Sequence, residues 1–133
     1  MKVSIVIGSK TDLDLAKASA EVLDSFEVEN SINILSAHRM PEVLQEHIQA
    51  ELGADTKIFI GIAGMAAHLA GNIAAHTSVP VIGVPGDGGP LNGFDALLST
   101  VQMPKGVPVA TVAKVEIGKV GAIKAGLVDD QMF

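Results

Sequence analysis

Short apolar runs rich in β-branched side chains recur along this chain, each followed by a segment with helical spacing, and that alternation limits the fold more than any other feature. Lys2–Ile7 is the first such run and stops at Gly-Ser-Lys-Thr-Asp; Leu13–Phe26 then carries Leu13, Ala16, Ala20 and Leu23 at helical intervals. Val28–Leu35 reads as the second strand and Pro41–Leu52 as the second helix, with Pro41 suited to a first helical turn. Lys57–Gly61 is a third strand, and Met65–Thr77 a helix built from very small residues. Pro80–Val84, Phe94–Gln102, Pro108–Ala113 and a weaker Glu116–Val128 continue the order strand, helix, strand, helix. Five strands alternating with helices imply parallel βαβ units, hence a three-layer α/β sandwich around a five-stranded parallel sheet. No repeat or linker interrupts the pattern, and 133 residues are the size of one domain, so residues 1–133 are expected to form a single one.

Composition excludes several functions. An apolar fraction of 48% with 18% charged residues belongs to a globular chain. Without cysteine there is no disulfide framework, thiolate nucleophile or Cys-based zinc site. A net charge of −6 argues against a nucleic-acid surface, although one pocket of an acidic protein can still be positive. No basic leader precedes a hydrophobic run and no apolar stretch is long enough to span a bilayer, so a soluble, cytoplasmic protein with no membrane partner is expected. With four Phe and no Trp or Tyr, a flavin would find few stacking partners.

In a parallel α/β sheet, ligands bind beyond the carboxyl ends of the strands. At the first, Ser9 and Thr11 stand before a helix N-terminus, which favours an anion; alternatively Thr11 or Asp12 merely caps the helix. The second carries Ser36-Ala37-His38-Arg39. Arg39 offers a planar donor fork for phosphate and Ser36 a hydroxyl. His38 is the best candidate for proton transfer, because an imidazole changes protonation state near neutral pH. The plain alternative is a loop His bonded to a carbonyl and an Arg paired with a Glu. The third, Gly61–Gly71, has glycines and alanines that admit a close ligand or helix, and its His68 faces a ligand or is buried against backbone. His47 is expected at the surface and His76 as a helix C-cap. Asp12, Asp14 and Asp87 make no convincing metal set. These loops suggest acid–base work on a small phosphorylated ligand.

Taken together, GSKTD, SAHRMP, AGMAAHLAG, PVIGVP and DALLSTVQMPKGVPVATV, in this order and spacing up to about Ala125, resemble the PurE family of purine biosynthesis. The resemblance implies a flavodoxin-like sandwich assembled into an octamer, with a small phosphorylated imidazole ribonucleotide as ligand and no cofactor. It implies an N5-carboxyaminoimidazole ribonucleotide mutase, which moves a carboxylate from N5 to C4 through aminoimidazole ribonucleotide and trapped CO2. By the same resemblance His38 is the general acid and base; Ser9, Thr11, Ser36 and Arg39 contact phosphate, with Ala37 giving the ligand room; Asp12 accepts from a ribose hydroxyl; and Ala63, Gly64, Ala66, His68 and Leu69 lie over the base. Arg39 after His38, and Ala-Ala-His-Leu in the covering loop, are more similar to the mutase branch than to carboxylases that use free CO2.

The chain departs from the family pattern in places. Thr11 stands for Ser, Leu13 for a common Trp, Met65 for Gly, Ala70 for Pro and Lys124 for Asn. If the backbone at 65 has positive φ, Met65 is strained by roughly a kcal/mol. The tail ends at Phe133, short of the family's helical extension, which implies weaker subunit contacts. A PurE-like subunit that binds a nucleotide without turnover is the rival expectation. A receiver domain would need an Asp ending the third strand, where Gly61-Ile62-Ala63-Gly64 stands.

Overall fold

The computed structural model describes residues 1–112 and 122–126. β1 (Lys2–Ile7), β2 (Glu29–Ile34), β3 (Thr56–Ala63), β4 (Val81–Pro85) and β5 (Ala110–Thr111) form one sheet in the order β2-β1-β3-β4-β5. Every pair is parallel, with Ile5 opposite Ile32 and Ile60, and Ile60 opposite Ile82. Between them run α1 (Leu13–Ser25), α2 (Pro41–Gly53), α3 (Leu69–Ala75) and α4 (Phe94–Val101); residues 122–126 are also helical. The three-layer sandwich expected from the alternation is what forms, and it is the flavodoxin-like one that the resemblance implies.

Because side chains alternate across a strand, one chain of β-branched residues supplies two cores. Val3, Ile5, Ile7, Ile58, Ile60 and Ile62 meet Ala16 and Leu23 of α1 and Ala122 and Ala125 of the last helical segment. Ser19 of α1 donates its hydroxyl to the Ala122 carbonyl at 2.6 Å. On the opposite face Val6, Phe59 and Val81 pack against Leu44 and Ile48 of α2 and Leu69, Ala70 and Ile73 of α3. Covered on both sides, β3 and β4 carry almost unbroken apolar runs.

Two expected elements come out much shorter, beyond the one or two terminal residues by which others differ. Residues 65–68 are not helical: Met65 takes a left-handed backbone, φ 55°, which no helix continues, so α3 starts at Leu69. Of the described residues 108–112, β5 takes in only Ala110 and Thr111, plus one further ladder bond from Val112 N–H to the Gly83 carbonyl at 3.1 Å. Pro108 carries no N–H to donate at this sheet edge. The expected Glu116–Val128 helix lies outside the described residues except at 122–126.

Candidate active site

The strand order reverses between β1 and β3, so the loops leaving these strands diverge and leave a crevice. A cleft of about 380 Å³ occupies it, lined by the loops after β1, β2, β3 and β4. Gly8, Ser9, Thr11 and Asp12 come from the first loop, Ala37, His38 and Arg39 from the second, Ala63, Gly64, Met65, Ala66, His68 and Leu69 from the third and Gly88 from the fourth.

Each loop is held by local bonds. Ser9 caps the 3-10 turn Lys10–Asp12 by accepting the Thr11 N–H at 3.2 Å, and it also accepts the Thr11 hydroxyl at 3.0 Å. The Ser9 O–H is therefore left to donate outward. Asp12 sits at the N-cap of α1 without a side-chain cap bond. Burial pushes its carboxyl above the usual 3.8, the nearby Asp87 charge adds to that, and a hydrogen bond from the Ser9 backbone opposes it.

After β2, the buried Ser36 hydroxyl accepts the Arg39 N–H at 3.2 Å and the Ser36 carbonyl accepts the Met40 N–H at 2.9 Å, which closes the turn that presents His38 and Arg39. Pro41 then opens α2. Arg39 reaches across to β1, its Nη2 donating to the Gly8 carbonyl at 3.1 Å. A guanidinium has five N–H donors, so this contact steadies the fork and leaves the others for an anion. Neither plain alternative for this loop holds, since Arg39 pairs with no Glu and His38 with no carbonyl among the described residues. His38 Nε2 instead lies 2.8 Å from His68 Nδ1, the two rings meeting edge to face at 83° with centroids 4.9 Å apart. His68, like His38, is exposed in the cleft and is not a core histidine.

Every residue singled out from the sequence thus reaches the cleft wall except Ser36, which stands behind it and supports the turn. Gly8, Met65 and Gly88 line it as well. In the sequence Met65 stands out only as a departure from the family pattern, and the two glycines give a weak signal, since a glycine that lines a cleft looks like any loop glycine. Outside the cleft, His76 caps α3 with Nδ1 2.8 Å from the Asn72 carbonyl oxygen, as expected. His47 is not a surface residue: it is half-buried with Nε2 3.3 Å from the hydroxyl of the fully buried Ser4. Among the described residues no group of three His, Cys, Asp or Glu is placed to hold a metal ion.

The AIR carboxylase family model matches residues 2–133. The chain belongs to the AIR carboxylase family. Relatives in it include the N5-carboxyaminoimidazole ribonucleotide mutase of Vibrio vulnificus, 48% identical over 133 residues that make up all of this chain and 81% of the relative. The mutase of Bacillus subtilis is 45% identical over 131 residues, 98% of this chain and 79% of that protein. A crystal structure of Treponema denticola PurE superimposes with a TM-score of 0.83 at 27% identity, covering 99% of this chain and 79% of that one. A variant of Treponema denticola PurE2 reaches 0.88 at the same identity and coverage. AIR carboxylase family membership agrees with the resemblance carried by the loops.

Proposed function

We propose that this chain is an N5-carboxyaminoimidazole ribonucleotide mutase, moving a carboxylate from the exocyclic N5 to C4 of a phosphorylated imidazole ribonucleotide. The observation that carries this reading is similarity at 45–48% identity, over 98–100% of this chain, to relatives that bear that name, with the His38–Arg39 turn exposed in the cleft. Ser9 and Arg39 have donors left over for a phosphate, and Thr11 flanks them. Ser36 sits behind the turn, with its own O–H still available. Asp12, partly desolvated, is the acceptor for a ribose hydroxyl, and Ala63, Gly64, Ala66 and Leu69 give a small-sided wall for the base.

In the proposed reaction, cationic His38 gives a proton to N5 while the N5–carboxylate bond breaks with its electron pair passing to nitrogen. Aminoimidazole ribonucleotide and CO2 are then held together, which asks for a small pocket that keeps water out. The enamine-like C4 attacks CO2, and neutral His38 takes the C4 proton. One proton enters and one leaves, so His38 returns to its starting form; an imidazole suits both steps because its two forms are close in energy near neutral pH.

The family takes its name from a carboxylase, which makes direct carboxylation by free CO2 the second reading. With no Trp or Tyr, the protein leaves the ultraviolet window of imidazole nucleotides nearly clear. Given N5-carboxyaminoimidazole ribonucleotide and, separately, aminoimidazole ribonucleotide with bicarbonate, the chain is expected to make product fast from the first alone. Efficient product from the second at modest bicarbonate would mean a carboxylase, and binding without product a non-catalytic subunit. His38→Asn is expected to abolish turnover while binding changes by less than about tenfold; full activity in that variant would end the proposal. A single domain acting in the cytoplasm as a homo-octamer completes the reading. The assembly is supported by Leu91, Phe94, Leu98 and Val101, which leave an apolar stripe on and beside α4 exposed at 57, 58, 36 and 53%. Sedimentation velocity tests it.

A further inference from the structure

His38 and His68 come from different loops, after β2 and after β3, yet their ring nitrogens meet at 2.8 Å. Two imidazole nitrogens at that distance hold one proton between them, and whichever ring donates fixes the tautomer of the other. The surroundings of His68 indicate the direction. His68 also lines a second cleft with Asn72, Ser99 and Gln102, where the buried Asn72 Oδ1 has no hydrogen-bond partner among the described residues. A buried acceptor that no side chain reaches directly calls for a bridging water on that side, and Nε2, the His68 nitrogen that does not meet His38, is the one left to donate to it. His68 Nδ1 is then bare and faces His38.

We propose that His68 is a positioning residue that selects the tautomer of His38 by accepting its Nε2–H. The proposal rests on the reading of His38 as the proton-transfer group. Neutral His38 then carries its free lone pair on Nδ1, and this nitrogen takes the proton from C4. In the cation the same nitrogen carries the proton delivered to N5, while Nε2–H stays on His68 throughout. One nitrogen does both steps, so the ring need not turn over between them. Without His68 the other tautomer, with its proton already on Nδ1, becomes populated, and that form cannot take a proton there.

The test compares His68→Leu with His68→Asn, whose side-chain oxygen can stand where Nδ1 stood and accept the same hydrogen bond. Leu is expected to lower kcat about ten- to a hundredfold with KM changed by less than about threefold, and Asn to recover most of that loss. Imidazole 15N shifts of the free protein above pH 8, assigned against His38→Asn, give a readout that needs no turnover. They are expected to report the Nε2–H form of His38 in the wild type and in His68→Asn, and a mixture of tautomers in His68→Leu. The Nδ1–H form in the wild type, an unchanged kcat in His68→Leu, or equal losses in both variants confined to KM would each overturn the proposal. An active His38→Asn would instead overturn the underlying assignment of His38, so the two failures are distinguishable.

Discussion

Met65 stands in the left-handed region at φ 55°, and its side chain lies across Gly89, whose added Cβ would come within 3.0 Å of Met65 Cγ. A non-glycine residue there costs about 1–2 kcal/mol, and replacing it with glycine returns about 0.5–1 kcal/mol as unfolded-chain entropy. Met65→Gly is therefore expected to raise the urea midpoint through a net stability gain centred on about 0.75 kcal/mol. A lower midpoint would mean that packing on Gly89 outweighs the backbone strain. The strain was legible in the sequence only conditionally, because the identity of a residue does not disclose its φ. Asp12 is a second residue held against its preference. Its carboxyl is pushed above 3.8, first by burial, so its favourable contribution belongs to the protonated form and is lost as pH rises through the folded value. Above that value the free protein carries a partly desolvated charge facing the cleft, where the proposed function puts a ribose hydroxyl.

At the scale of elements, the small residues of α3 have a job that composition alone does not disclose. A Cβ on Gly61 of β3 would stand 3.0 Å from both Cα and Cβ of Ala70, so α3 lies almost directly on the strand. That approach puts Ala70 at 3% exposure and sets where the 65–68 loop, with His68, leaves the sheet. Gly61→Val is expected to cost about 1–3 kcal/mol through overpacking in thermal or urea unfolding. It is also expected to lower activity more than a comparable destabilisation elsewhere, because the strand it displaces carries the loop. Equal activity per folded molecule would separate packing from site geometry. The strands and the longer helices were legible because their apolar periods are strong: β1 spans Lys2–Ile7 as read, and α2 ends one residue beyond Leu52. The start of α3 was not, since a run of Ala, His and Leu has helical propensity up to a backbone reversal set by tertiary contacts.

For the whole molecule, α2 is fastened to the sheet by polar as well as apolar contacts. Glu51 bonds Lys2 of β1 at 3.0 Å and accepts the Thr56 hydroxyl of β3 at 2.6 Å, while His47 meets Ser4. Burial pulls the His47 imidazole below 6.5; the Glu51 charge opposes this and the Lys2 charge adds to it. Burial pushes Glu51 up, but its bonds to Thr56 and Lys2 and the charges of Lys2 and His47 outweigh that and hold it below 4.5. A histidine with a depressed folded value binds fewer protons folded than unfolded, so its contribution is complete above pH 6.5 and is lost as pH falls through the lowered value. The wild-type Tm is expected to decline from pH 7 to pH 5, a window above the Glu51 transition, and His47→Gln to flatten that decline. Identical slopes would remove His47 as the cause. Because α2 begins just after His38 and Arg39, the same measurement followed by ligand binding would report whether the acid-sensitive fastening reaches the site.

The sequence by itself determined the alternation of strands and helices, hence the parallel sandwich, because periodicity and β-branching are local properties that survive in any compact state. It also determined which loops line the cleft, since the carboxyl ends of parallel strands share one edge whatever their order. Only the tertiary structure decided which of those loops meet. The order β2-β1-β3-β4-β5 puts the reversal between β1 and β3, and that reversal sets His38 against His68 and Arg39 against Gly8 across spans of 30 and 31 residues. His47 shows the same division, an imidazole among polar neighbours on a helix that the fold turns inward to Ser4. Contacts of that kind depend on where two distant backbones are brought together, and no local pattern of side chains encodes that distance.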